Sequence, residues 1–208
     1  MAANPMPANP LAAYPPLVLV HGLWDTPRLF NRLRDALAGE RDPLLIPYLH
    51  HRLGATRMGP LAERLGESIE AAFGPTEPID LLGFSMGGVI GRTWIQELGG
   101  HRRTRRFFCV ASPQQGTPLA QICPSWLLGG IAELKLGSPL LHRLNADLRA
   151  LEAVDCRSFY TPTDQIVVPG WRGVLPVGPR TALPPMTHQG ILSDQRGLAA
   201  LRQALLSD

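Results

Sequence analysis

"LLGFSMGG", residues 81–88, decides how this 208-residue chain is read. An apolar run leads into Gly83-Phe84-Ser85-Met86-Gly87, a G-x-S-x-G pattern, with Gly88 and Gly91 close behind. Residues 79–84 have the composition of a buried strand, and the stretch from Met86 to Leu98 reads as a helix. A serine on such a sharp strand-to-helix turn is forced into a strained backbone and exposes its hydroxyl above the carboxyl end of a sheet. Its neighbours must be small, because strand and helix approach closely there. Amides at the helix N-terminus favour developing negative charge. Ser85 is therefore the candidate nucleophile, with Gly83 and Gly87 shaping its turn.

Working outward, "LVLV" (17–20) is uniformly apolar, as a strand covered on both faces should be. Residues 27–38 predict a helix with Leu29, Phe30, Leu33 and Leu37 on one face, Thr26 as its cap and Pro27 at its first position. A second strand is expected over 43–49, with Pro47 marking an edge or an irregular end. Leu61, Leu65, Ile69 and Phe73 predict a second helix, closed by Gly74-Pro75. Further strands are expected over 105–112 and 156–161, and a poorer one within 180–188. Ser193 is positioned to cap a last helix through Leu198, Leu201 and Leu205. This alternation predicts an α/β fold with a mostly parallel sheet of about six strands, covered by helices on both faces. A flexible proline-rich arm (1–16) precedes a single domain (17–208). Residues 119–151 carry no strand pattern and read as a short helical insertion.

A serine hydroxyl needs a base. In this arrangement an acid and then a histidine follow the serine in the chain. His21, His50 and His51 precede it, His101 directly follows its helix, and His142 falls in the insertion. His188, on the loop before the last helix, remains as the base. Asp164, on the loop after the fifth strand, is placed to accept the imidazole N–H and fix its tautomer. The oxyanion then needs two backbone donors. One is the amide of Met86. The other is that of Leu23, aimed by the His21-Gly22 turn after the first strand, where Gly22 allows the geometry. His21 reads as a buried structural histidine.

Composition limits the alternatives. The basic residues are arginines except for Lys135, and a net charge of +3 is too small to argue for nucleic acid. The one dense basic cluster, "HRRTRR" (101–106), reads either as a solvated helix-to-strand connection or as a patch facing anionic lipid headgroups. Cys109, Cys123 and Cys156 make neither a disulfide framework nor a metal cluster, and Cys109 and Cys156 read as buried strand residues. No metal and no cofactor are expected. The first residues lack a basic n-region and an apolar signal core, and no run approaches the ~20 apolar residues of a membrane span. A reducing cytoplasm is the expected compartment.

"LVHG" (19–22), "GFSMGG" (83–88), "ASPQQGTPLA" (111–120), "YTPTDQIVVP" (160–169) and Thr187-His188 together resemble an α/β-hydrolase-fold lipase of the compact bacterial and plastid type. The resemblance implies Ser85 as nucleophile, Asp164 as acid, His188 as base, and the amides of Leu23 and Met86 as oxyanion hole. The sequence departs from the family pattern at Phe84, where histidine is more usual, and at Thr187, where glycine is familiar. The expected reaction is cleavage of carboxylic esters, with acyl-lipid substrates, through an acyl-Ser85 intermediate. An acyltransferase or thioesterase on the same triad, and a non-catalytic ligand-binding homologue, are the alternatives. Phe84, Trp24, Trp126, Leu127 and Leu128 are the candidate substrate contacts. The apolar stretch 121–141 reads equally as a mobile lid or acyl wall and as ordinary helical core. A transient contact with a membrane surface is the expected partner interaction.

Overall fold

The computed structural model describes residues 14–207, so most of the proline-rich arm expected over 1–16 lies outside the described residues. Chain order gives β1 (Leu17–Val20), α1 (Asn31–Leu37), β2 (Leu44–Leu45), α2 (Met58–Phe73), β3 (Ile79–Phe84), α3 (Met86–Glu97) and β4 (Thr104–Val110). There follow α4 (Gly129–Ala132), α5 (Pro139–Ala146), α6 (Arg149–Glu152), β5 (Asp155–Tyr160), β6 (Arg180–Ala182) and α7 (Gln195–Leu206). The strands form one six-stranded sheet in the order β2-β1-β3-β4-β5-β6, and every pairing is parallel.

The uniformly apolar strands divide their residues between two cores. Val18, Val20, Leu81, Phe107 and Cys109 face α2, α3 and the buried part of the insertion. Leu17, Leu19, Leu82, Phe84, Phe108 and Val110 face α1 and α7. Successive side chains point to opposite faces of a strand, so a sheet with helices on both sides needs apolar residues at every position. The expected architecture is the observed one.

Several details differ from expectation. The second strand shrinks to Leu44–Leu45 because the chain then leaves the sheet, and the Leu49 N–H is taken by His21 Nε2 at 3.2 Å. Thr26 precedes a 3-10 turn (Pro27–Phe30) but makes no side-chain cap; its carbonyl accepts from the Leu29 amide instead, at 3.0 Å. The last helix is capped by Asp194, whose carboxylate accepts from the Arg196 amide at 2.8 Å, while the Ser193 hydroxyl turns back to the Gln189 carbonyl. Residues 14–16 are docked: the Tyr14 hydroxyl donates to the Leu206 carbonyl, and the Pro16 carbonyl accepts from the Asp80 amide. Among the described residues no helix is long and apolar enough to cross a membrane.

The basic cluster is only in part a solvated connection: Arg102 and Arg105 are exposed, but Arg103, Arg105 and Arg106 all have partners within the fold. Arg106 is buried, and with Arg105 and Arg41 it closes on the carboxylate of Asp80, itself fully buried at the amino end of β3. Arg41 and Arg106 also donate to the carbonyl of Leu205, which ties the end of α7 into the knot. Arg103 donates to the carbonyls of Glu77 and Gly74. Burial pushes the Asp80 carboxyl up, but hydrogen bonds from Arg105, Arg106 and Arg41 outweigh it and leave the pKa below the ordinary range. A carboxyl lowered in the folded state contributes stability at neutral pH and loses it as pH falls below ~4 toward the folded value. Removing the charge leaves buried guanidinium groups uncompensated. Asp80→Asn is expected to lower unfolding free energy by about 3–5 kcal/mol in urea titrations at pH 7, with a smaller gap from wild type in strong acid.

Candidate active site

Ser85 sits between β3 and α3 with φ 53° and ψ −127°, the strained turn that the sequence predicts. Glycines permit the close approach. A Cβ on Gly83 would lie 2.4 Å from the Gly88 Cα, and one on Gly87 would lie 2.2 Å from the Val20 carbonyl oxygen. The Ser85 amide donates to the Val110 carbonyl at 2.9 Å, which fixes the turn to the neighbouring strand. Met86 begins α3, where an amide has no acceptor within the helix. Trp24 after β1 and Ala111 after β4 also have positive φ, 61° and 46°. Strained backbone thus gathers at the carboxyl ends of the three central strands, where it commonly marks function.

His188 and Asp164 meet as the sequence predicts. The His188 Nδ1 lies 2.8 Å from Asp164 Oδ2, and both side chains are buried. The other oxygen, Asp164 Oδ1, accepts from the amides of Ile166 and Val167 at 2.8 and 2.9 Å. A carboxylate so held keeps the proton of a neutral imidazole on Nδ1 and leaves Nε2 as the basic nitrogen. The His188 ring packs on Phe84 at 4.8 Å between centroids, which seats it beside the serine turn. Phe84 is fully buried, so it supports the imidazole from below and does not line an open substrate surface. The departure from the usual histidine at this position thus acts as packing.

The loop after β1 is built by two histidines. His21 Nδ1 donates to the Gly22 carbonyl at 3.0 Å while its Nε2 accepts from the Leu49 amide. In a trans peptide the N–H points opposite to the carbonyl, so this contact turns the Leu23 amide away from His21. Burial holds the His21 pKa below the usual range, the Gly22 contact opposing and the His51 charge adding to the effect. The neutral form is the one these contacts require. His51 Nε2 accepts from the Trp24 amide at 3.2 Å and so pins the strained Trp24. Burial likewise lowers the His51 pKa. Sequence order excluded His51 as a base, but nothing in the sequence flagged it as a prop for this loop.

Asp25 was also missed. A methyl on Gly22 would lie 2.8 Å from Asp25 Oδ2, 2.9 Å from Ser85 Cβ and 3.3 Å from Ser85 Oγ. Gly22 therefore leaves room for a carboxylate and the serine hydroxyl to share one small space. Burial raises the Asp25 pKa, while the nearby His188 imidazole opposes the rise.

The insertion divides the two readings given to it. Ile131, Leu134, Leu140 and Leu141 are buried core. Leu119, Ile122, Trp126 and Leu127 are exposed, Trp126 by 86%, and Leu128 is half-buried against the core. Only residues 119–128 therefore present an apolar surface to the outside; from Gly129 onward the segment is packed. Trp24 (69% exposed) shows its side chain to solvent as well. Among the described residues no three histidine, cysteine or acidic side chains gather as a metal-binding group.

The model of the alpha/beta hydrolase family matches residues 17–206. The lysosomal thioesterase PPT2 of Mus musculus is 29% identical over 118 residues, 53% of this chain and 39% of the relative; the match spans well under half of that protein's length. The mature Bacillus licheniformis lipase BlEst2 superposes with a TM-score of 0.74 at 15% identity, covering 95% of this chain and 94% of the lipase. The RedJ thioesterase of the prodiginine biosynthetic pathway in Streptomyces coelicolor gives 0.61 at 23% identity, over 98% of this chain and 96% of RedJ.

The crowding at Gly22 yields a test. Gly22→Ala must push apart Asp25 and Ser85. Hydrolase turnover is expected to fall by about 10²–10³, the scale on which the loss of one active-site contact is felt, with KM changed far less than kcat.

Proposed function

We propose that this chain, which belongs to the alpha/beta hydrolase family, is a serine hydrolase that cleaves acyl esters or thioesters through an acyl-Ser85 intermediate. The observation that carries the reading is the buried His188–Asp164 contact, seated by Phe84 beside a serine on a strained turn. Ser85 Oγ attacks the acyl carbonyl as His188 Nε2 takes its proton. The carbonyl oxygen becomes an oxyanion that receives hydrogen bonds from the amides of Leu23 and Met86. His188, now an imidazolium steadied by Asp164, gives the proton to the departing alcohol or thiol. Water, deprotonated by the same nitrogen, attacks the acyl-serine; the carboxylic acid leaves and Ser85 recovers its proton. A fluorophosphonate is expected to label Ser85 in peptide maps, with turnover abolished in Ser85→Ala. Labelling elsewhere, or turnover surviving in that variant, contradicts the mechanism.

Two kinds of leaving group deserve comparison because the relatives include both lipases and thioesterases. The 29% identity to a thioesterase favours the thioester, whereas the sequence motifs resemble lipases. Oxygen and sulfur substrates of equal acyl length, compared by kcat/KM, decide between them.

The exposed apolar residues 119–128 fit a long acyl chain and, transiently, a lipid surface. Burying a large apolar side chain against the chain is worth about 1.5–3 kcal/mol, or roughly tenfold or more in binding. Trp126→Ala is expected to lower kcat/KM about tenfold for long-chain substrates and little for short ones. Because Trp126 is exposed, the unfolding free energy should hold to within about 0.5 kcal/mol. An unchanged chain-length profile removes Trp126 from the acyl wall.

A further inference from the structure

We propose that Asp25 selects substrates by charge, favouring those whose leaving group carries a cationic ammonium near the scissile bond; the inference rests on the acyl-serine reading above. The carboxylate oxygen Oδ2 and the Ser85 hydroxyl lie within 2.8 and 3.3 Å of one point beside Gly22, so Asp25 stands beside the reacting hydroxyl. The other buried or half-buried aspartates among the described residues are occupied. Asp80 has its arginines, Asp194 binds Arg196, and Asp164 binds His188 and two amides. The carboxylate of Asp25 has no hydrogen bond among the described residues. The loop is held beside it, since His51 Nε2 accepts from the amide of the preceding residue, Trp24. A half-buried carboxylate on a fixed loop, without a partner of its own, is an acceptor left for a ligand.

The chemistry it recognises follows from charge. The acid product and the transition-state oxyanion are anions, and Asp25 repels both. A compensating positive charge on the alcohol or thiol portion removes that repulsion. Quaternary ammonium suits the place further because Trp24, the chain neighbour of Asp25, leaves its indole exposed and indole faces attract such cations. The ionisable group that acts on Asp25 is the His188 imidazole.

The test compares butyrylcholine with its uncharged isostere 3,3-dimethylbutyl butyrate on the full chain at pH 8 and low salt. Wild type is expected to prefer the cationic ester about tenfold in kcat/KM, the scale of one charge pair a few ångströms apart in a partly solvated site. In Asp25→Asn the ratio is expected to fall to near one, and 0.5 M salt should shrink it in wild type. Asp25→Ala is read alongside, so that misfolding of one variant leaves the other. A ratio near one in wild type, or an undiminished ratio in a folded variant, overturns the proposal. Fluorophosphonate labelling separates the two levels. Labelled, active enzyme without charge preference refutes Asp25 alone, whereas failure to label Ser85 refutes the acyl-serine reading and this inference with it.

Discussion

The approach of α3 to the central strands is the constraint on which the rest depends. A carbonyl oxygen of β1 stands where a side chain on Gly87 would begin, and Gly88 stands where one on Gly83 would begin. Only this contact lets the chain reverse within one residue after β3 and lift Ser85 above the sheet. It also brings the first strand under the helix, so that the loop after β1 delivers Gly22 to the serine. The strain in Ser85 costs on the order of 1–3 kcal/mol. The two cores above and below the sheet offset it.

Much of this was legible because it rests on local rules. The serine turn and the alternation of strands and helices are written in neighbouring residues, and the order serine-acid-histidine is read directly along the chain. The structure brings Asp164 and His188 together across 24 positions as that order implies. Features that depend on distant packing were not legible. Arg105 and Arg106 looked like solvent-facing charge because their partner, Asp80, lies in another strand and resembles any strand-edge aspartate. His51 and Asp25 carry no motif; their roles arise only when the loops after β1 and β2 meet. Trp126 and Leu140 look alike as apolar residues of one insertion, yet one is outside and the other inside. Periodicity over such short helices is too brief to tell them apart.

Electrostatics at the two ends of the sheet serve opposite purposes. At the amino end, one carboxylate is enclosed by three guanidinium groups and the geometry is closed. At the carboxyl end, the histidines of the loop are kept neutral by burial so that their nitrogens can act as fixed acceptors and donors.

The knot around Asp80 joins segments from across the chain: Arg41, β3, β4 and the carbonyl of Leu205 near the end of α7. On a ribosome these parts emerge in sequence, and α7 arrives long after Arg41, β3 and β4. Until then the arginines have an incomplete shell, and the face of the sheet that α7 covers is bare. Non-local pairing of this kind slows folding and leaves apolar strand surface exposed meanwhile. His188 lies just before α7, so the imidazole is secured by the same late event. The closing of the scaffold and the seating of the His188 imidazole thus depend on the same segment of chain.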